Sequence, residues 1–253
     1  MMKFYLKFVS SLFFYLLLAV TNSYLFAQIN SGNSETVKTF SRSSIFIGTQ
    51  IPLQFTAGYA YQIDHHFSAK AQAGLLTRPF DGLIVNSLQA FGLDKNLGRV
   101  IKKAFRTGSV LGIGLDYHFG KNYAGISGQY IHLRGGGITP ADALSVYFNQ
   151  DFSSFDPTGL PVFEFNMQSD ILNINALYGH EFQLSNPHLS INTEVGLSKI
   201  VASKNYFSSN RSLVDGTAFA RNIYNQLDKE MRTSFWKHGY IPTLSIYLVY
   251  RLP

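Results

Sequence analysis

Apolar and polar residues alternate with a period of two in several long runs, the pattern of a β-strand whose two faces meet unlike surroundings. From Leu53 to Ile63 one face reads Leu53, Phe55, Ala57, Tyr59, Tyr61 and Ile63, and the other Gln54, Thr56, Gly58, Ala60 and Gln62. Asp64-His65-His66 interrupts, and Phe67, Ala69, Ala71, Ala73 and Leu75 then oppose Ser68, Lys70, Gln72 and Gly74. The pattern returns at Leu111–Phe119, Ala124–Tyr130, Leu172–Glu181, Leu189–Ser198 and Tyr240–Arg251. Ser43–Gln50 supplies an eighth strand, although its two faces differ little.

The connections carry a second signal. Those at 64–66, 120–122 and 185–187 are very short, and those at about 78–107, 135–168 and 201–239 are long, in strict alternation. An even number of antiparallel strands, with short turns at one end and long loops at the other, predicts an all-β fold: an eight-stranded transmembrane β-barrel with short periplasmic turns and three extracellular loops. Each loop holds a predicted helix. Asp94 stands as N-cap before Leu97, Val100, Ile101, Ala104 and Phe105, which share one helical face, with Gly108 just past the end. Thr139-Pro140-Ala141-Asp142 has the form of a capping box with Pro at the first helical position. Asp215–Leu227 places Phe219, Ala220, Ile223, Tyr224 and Leu227 at helical spacing.

Alternation alone does not separate a membrane barrel from a soluble one, and composition does. Charged residues make up 14% of the chain and aromatic residues 15%, with 22 Phe, 15 Tyr and 21 Gly, against about 25% charge in ordinary soluble domains. The polar faces are mostly Gln, Asn, Ser, Thr and Gly, a poor solvent surface but a suitable narrow interior. Aromatics at Tyr61, Phe67, Phe119, Tyr123, Phe182 and Tyr250 gather near the short turns, as an interfacial girdle would. Lys3 and Lys7 followed by an apolar core at Phe8–Val20, and Leu25-Phe26-Ala27 before Gln28, predict a signal peptide over 1–27, a periplasmic tail over 28–42 and the barrel over 43–253. The alternative for the first segment is an N-terminal anchor. Taking Lys3 and Lys7 from 21 basic residues leaves 19 against 15 acidic ones, a charge of +4 that is too mild and dispersed for nucleic acid. The absence of Cys excludes disulfides and a Cys-linked lipid anchor.

With its leader, eight alternating strands, asymmetric connections and last strand ending near Tyr250, the chain resembles the small bacterial outer-membrane barrel group that includes OmpX-, OmpW-, PagP- and PorT-like proteins. The resemblance covers about residues 43–253, in architecture and not through a sharp motif. It implies location in the bacterial outer membrane. Leu252-Pro253 follow Tyr250-Arg251 and depart from the terminal aromatic residue usual in that group.

An eight-stranded barrel is just wide enough for side chains to fill its interior. Lys70, Asp116, His118, Glu181 and Glu194 fall on the interior face and are expected to form a structural polar network, since charges there must be paired or hydrogen-bonded. A narrow solute path is the alternative. Some barrels of the group modify lipid A through a His-x-Ser pair, but the nearest segment here is His132-Leu133-Arg134, without the Ser. The chain therefore reads as a non-enzymatic barrel whose surface loops bind a partner or stabilise the membrane, with a lipid-modifying enzyme as a further alternative; no catalytic, cofactor-binding or metal site is expected. The first loop helix carries Lys95, Arg99, Lys102, Lys103 and Arg106 opposite its apolar face, a pattern suited to anionic lipid such as lipopolysaccharide. Outer-membrane lipid and lipopolysaccharide are thus the expected partners, beside a possible extracellular ligand or protein. Net charges of +4, −4 and +3 in the three successive loops favour their packing together as a cap.

Overall fold

The computed structural model describes residues 42–253 apart from 78–79, 105–106, 149, 151, 153–163 and 211–214. The expected leader, and the tail up to residue 41, lie outside the described residues. Eight strands close into one antiparallel barrel in sequence order: β1 (Ser43–Ile51), β2 (Gln54–Gln62), β3 (Phe67–Leu76), β4 (Thr107–Phe119), β5 (Asn122–Ile138), β6 (Phe165–Gln183), β7 (Leu189–Ser209) and β8 (Tyr240–Arg251). The long connections carry α1 (Phe80–Ala90), α2 (Lys95–Ala104), α3 (Pro140–Tyr147) and α4 (Ala218–His238). By strand order all three emerge at the end opposite the turns at 64–66, 120–121 and 184–188.

The side-chain pattern inverts along the barrel axis. Toward the short-turn end the outer face is apolar: Leu111, Ile113, Leu115, Tyr117 and Phe119 on β4 are all exposed, as are Ile126 on β5, Ile174 on β6 and Leu197 on β7. The inner face there is mostly polar, with Ser127, Gln129, Asn173, Asn175, Glu194 and Ser198 buried beside one small apolar cluster of Phe46, Tyr247 and Val249. Toward the long-loop end the signs exchange. Val110, Ile131, Leu133, Met167, Ile171 and Ile200 turn inward and are buried, while Arg134, Gln168 and Lys204 are exposed on the outer face. The apolar belt on β4 spans Leu111–Phe119, which in a tilted strand stands roughly 20–25 Å high, close to the apolar band of a membrane barrel.

The strands are uneven in height. β1 and β2 are joined by two residues, Pro52 and Leu53, whereas β5, β6 and β7 continue well past that level. These extensions belong to segments expected to be loop, so the true connections are shorter than their sequence suggests. The helices fill the space above the short strands. Leu97, Val100 and Ile101 of α2 and Ile223, Leu227, Met231 and Phe235 of α4 join Leu53, Leu76, Ile131, Ile171 and Ile200 in one buried cluster. α2 packs on α1 closely enough that a Cβ at Gly98 would lie 2.2 Å from the Gln89 amide. α3 touches both α2 and α4, which brings the acidic middle loop against its two basic neighbours.

The expected caps form. Asp94 Oδ1 accepts from the backbone N–H of Asn96 and Leu97, and Thr139 and Asp142 make a reciprocal capping box at α3. Helix α4 begins at Thr217 as N-cap and runs past Leu227 to His238. Its apolar face continues as Leu227, Met231 and Phe235 at intervals of four, across the charged Asp228-Lys229-Glu230. Helix α1 was not separately legible in the sequence. Tyr123 corrects the expected girdle: it points into the lumen and is buried, while Tyr61, Phe67, Phe119, Phe182 and Tyr250 are exposed.

Candidate functional site

Four layers follow one another along the barrel interior. Nearest the short turns, His118 Nε2 lies 2.8 Å from Ser68 Oγ, and Arg251 pairs with Glu181 at the rim. Phe46 and Tyr247 meet edge to face beside Val249 in a small apolar cluster near the same end. Deeper in, Lys70 Nζ stands 3.1 Å from Asp116 Oδ2 and 3.0 Å from Glu194 Oε1, and Tyr123 Oη donates to the same Glu194 oxygen at 3.0 Å. Three strands thus contribute to one ion cluster whose side chains are all at least nine-tenths buried. Glycines make room for it: a Cβ at Gly125 would lie 2.0 Å from Asp116 Oδ1, and one at Gly179 would lie 2.2 Å from the Tyr123 ring.

Above the ions, Gln50 Oε1 accepts from Gln54 Nε2 at 3.0 Å and from Gln129 Nε2 at 2.8 Å. These residues stand on β1, β2 and β5, so the hydrogen bonds cross the lumen. Above them lies the apolar cluster of the helical cap, in which a void of about 30 Å³ remains, room for about one water at most. Ions, amides and hydrocarbon thus follow one another along the interior toward the long-loop end.

Of the residues expected in the lumen, Lys70, Asp116 and Glu194 come together directly. His118 and Glu181 are placed nearer the short turns and bond to Ser68 and Arg251. Tyr123 completes the cluster and was missed because its ring read as part of the girdle; its parity with Gly125 and Ser127 was the available signal. On α2, Lys95 and Lys102 are exposed and Arg99 is half-buried. The backbone of Lys103 lies in α2, while Phe105 and Arg106 lie outside the described residues. The apolar face of α2 is buried within the cap, leaving the exposed bases away from it.

The outer face above the belt holds a second polar constellation. His132 Nδ1 lies 2.6 Å from Asp170 Oδ1, which also accepts from Tyr130 Oη at 2.6 Å. Arg134 Nε donates to His132 Nε2 at 2.8 Å. An Nε2 that accepts must be unprotonated, so the ring proton sits on Nδ1 and is donated to Asp170. This is the orientation of a catalytic base and its carboxylate, but a guanidinium occupies the nitrogen that would activate a nucleophile. Lys204 faces Asp170 across the strand pair, and Tyr206 lies beneath its ammonium at 4.9 Å.

No family model matches the chain, and no curated protein sequence matches it. Among solved structures it is similar to the Acinetobacter baumannii proteins CarO2 and CarO. The first is 8% identical over 83% of this chain and 97% of that one, and the second 9% over 86% and 100%, both with a TM-score of 0.38. It is also similar to a major outer membrane protein from Thermus thermophilus, 13% identical over 83% of this chain and 98% of that one, with a TM-score of 0.43. A likeness this slight carries no functional information.

Proposed function

We propose that the chain is a bacterial outer-membrane barrel with a sealed lumen and no enzymatic activity, whose helical cap meets anionic lipid and stabilises the outer surface. The observation that carries this reading is the inversion of the side-chain pattern. A soluble barrel keeps apolar residues inside along its whole height, whereas here they face outward through one belt and inward above it. Such a belt suits hydrocarbon below and water above, with the long loops on the outer side. The ion cluster and the apolar cap in series support a lumen that does not conduct. The guanidinium on His132 Nε2 supports the absence of hydrolytic chemistry on the outer face.

Helix α2 supplies the lipid contact in this reading. Lys95, Arg99, Lys102, Lys103 and Arg106 would meet phosphate groups of lipopolysaccharide, each base near an anionic surface contributing on the order of 1 kcal/mol. The test is partition of detergent-folded protein into lipopolysaccharide-containing bilayers, comparing wild type with the variant Lys95→Gln, Arg99→Gln, Lys102→Gln and Lys103→Gln. Wild type should partition more strongly at low salt, and high salt should narrow the gap. Equal partition at both salts rejects the α2 contact. Recovery of a folded monomer from the soluble periplasm without detergent rejects the barrel's place in the membrane.

A further inference from the structure

A groove outside the lumen carries a more specific inference, which rests on the membrane placement proposed above. Strand β8 ends its pairing with β7 at Lys199–Tyr240, while β7 continues to Ser209 paired with β6 alone. Helix α4 runs beside the edge left open. Asp228 Oδ1 accepts from the Asn205 backbone N–H and side-chain amide at 3.1 and 2.9 Å, so the upper part of that edge is capped. Lower down, around the bulge that leaves Val201 without a partner on β6, strand and helix separate into an open groove of about 600 Å³.

The lining has two characters. Lys229 and Arg232 project from α4 with exposed side chains, beside Thr233 and Trp236. Ser203 Oγ is buried in the groove wall and has no hydrogen-bond partner among the described residues. Asp228 is the acidic member, but its Oδ1 is committed to Asn205 and its Oδ2 faces Arg232 at 3.6 Å. Trp236 is 62% exposed and is the only Trp in the chain. Lys199 donates to the Trp236 carbonyl and lies 3.8 Å from the centre of the Tyr240 ring. Tyr240 and Lys199 stand where the outer surface changes from apolar to polar, so the groove opens at the boundary between hydrocarbon and headgroups. An exposed Trp beside bases is the composition such a boundary favours.

We infer that this groove binds the phosphorylated headgroup of an outer-leaflet lipid, with phosphate on Arg232 and Lys229 and the first methylenes against Ala202 and Trp236. Arg presents paired donors to phosphate and Lys a point charge, and a hydroxyl such as Ser203 or Thr233 completes the anion's shell. The lone Trp reports on its own site. Detergent-folded full chain, titrated with diphosphoryl lipid A in micelles, should show a saturable change in Trp236 fluorescence. The double variant Lys229→Gln and Arg232→Gln should weaken it roughly tenfold or more, the loss expected for about 1.4 kcal/mol of charged contacts. Thr233→Phe, which fills the groove without altering charge, should weaken it similarly. Dephosphorylated lipid A and millimolar inorganic phosphate should produce no saturable change.

Unchanged affinity in both variants overturns the inference, as does an equal response to the dephosphorylated lipid. A saturable response to inorganic phosphate overturns the commitment to lipid. Saturation by a peptide strand in place of lipid would reassign the groove to strand addition on β7. The α2 glutamine variant separates the two readings: it should lower bulk partition and leave the Trp236 titration unchanged. Failure of the titration alone removes the groove and leaves the membrane barrel standing.

Discussion

Lys70 on β3 and Glu194 on β7 are 124 residues apart in sequence and meet at 3.0 Å inside the barrel. With Asp116 on β4 they form a cluster of two carboxylates and one ammonium; Tyr123 donates to Glu194, while Asp116 Oδ1 is buried with no hydrogen-bond partner among the described residues. Burial makes such a cluster costly to break and inexpensive to replace as a whole. Lys70→Met should therefore destabilise the barrel by about 3–5 kcal/mol, because two buried carboxylates lose their counter-ion. The triple variant Lys70→Met, Asp116→Leu and Glu194→Met should lie much closer to wild type. The temperature at which the protein loses its compact gel migration measures both, and equal losses would contradict the pairing.

Ile174 on β6 and Ser198 on β7 lie on opposite faces: Ile174 is 52% exposed and Ser198 is fully buried. Ile174→Arg places a charge against lipid, at about 2–4 kcal/mol near the midplane. Ser198→Ala removes one lumen hydroxyl. Assembly yield in the outer membrane should fall sharply for the first and barely for the second. Equal yields would mean that inside and outside are exchanged.

Between β7 and α4, Asp215 Oδ1 accepts from Tyr224 Oη at 2.6 Å and from the Ser209 backbone N–H at 2.8 Å. The Tyr224 hydroxyl and the Ser209 bond hold the Asp215 carboxyl below its ordinary value, and burial with the Asp215 hydrogen bond pushes the Tyr224 phenol up. A lowered folded pKa gives stability that is present above the unfolded value and is lost as pH falls through the folded one. A raised phenol pKa gives stability that is present below the unfolded value and lost as pH rises through the folded one. The lock should thus hold at neutral pH and loosen below about pH 4 and above about pH 10. Hydrogen exchange at the Ser209 amide should quicken at both ends, and Asp215→Asn should flatten the acid limb. An amide insensitive to pH-corrected opening would remove the lock.

Below the cap, β2 to β8 were legible because one face of each is largely apolar, whereas the two faces of β1 differ little. Above the belt the period of two persists with opposite phase, so Ile131-His132-Leu133-Arg134 carries strand alternation that does not extend the pattern below it. On β7 the bulge at Val201 also shifts the parity, which hid the continuation to Ser209. The extent of α4 was obscured by three charged residues in succession at 228–230, although Leu227, Met231 and Phe235 keep its face. For the lumen, residue types and parity placed Lys70, Asp116 and Glu194 inside. Their meeting depends on the stagger of strands around the closed barrel, which no single strand encodes.

The sealed lumen proposed above places two barriers in series. The lower one is the cluster of Lys70, Asp116 and Glu194, and the upper one is the hydrocarbon beneath the helices, centred on Leu227, Met231 and Phe235. An ion must cross both, so opening either alone leaves the other closed. The wild type in planar bilayers should show no stable single-channel current. The triple variant Lys70→Ala, Asp116→Ala and Glu194→Ala should stay silent, since desolvation under the apolar cap still blocks passage. Met231→Ser with Phe235→Ser should loosen the cap, with core truncations of this kind costing about 2–5 kcal/mol each, yet also stay silent over the intact ion cluster. Combining the two sets should produce small, flickering conductance, provided the compact gel migration shows that the barrel survives. Steady currents from the wild type would reject the sealed lumen, and currents from either partial variant would show that only one of the two layers is a barrier.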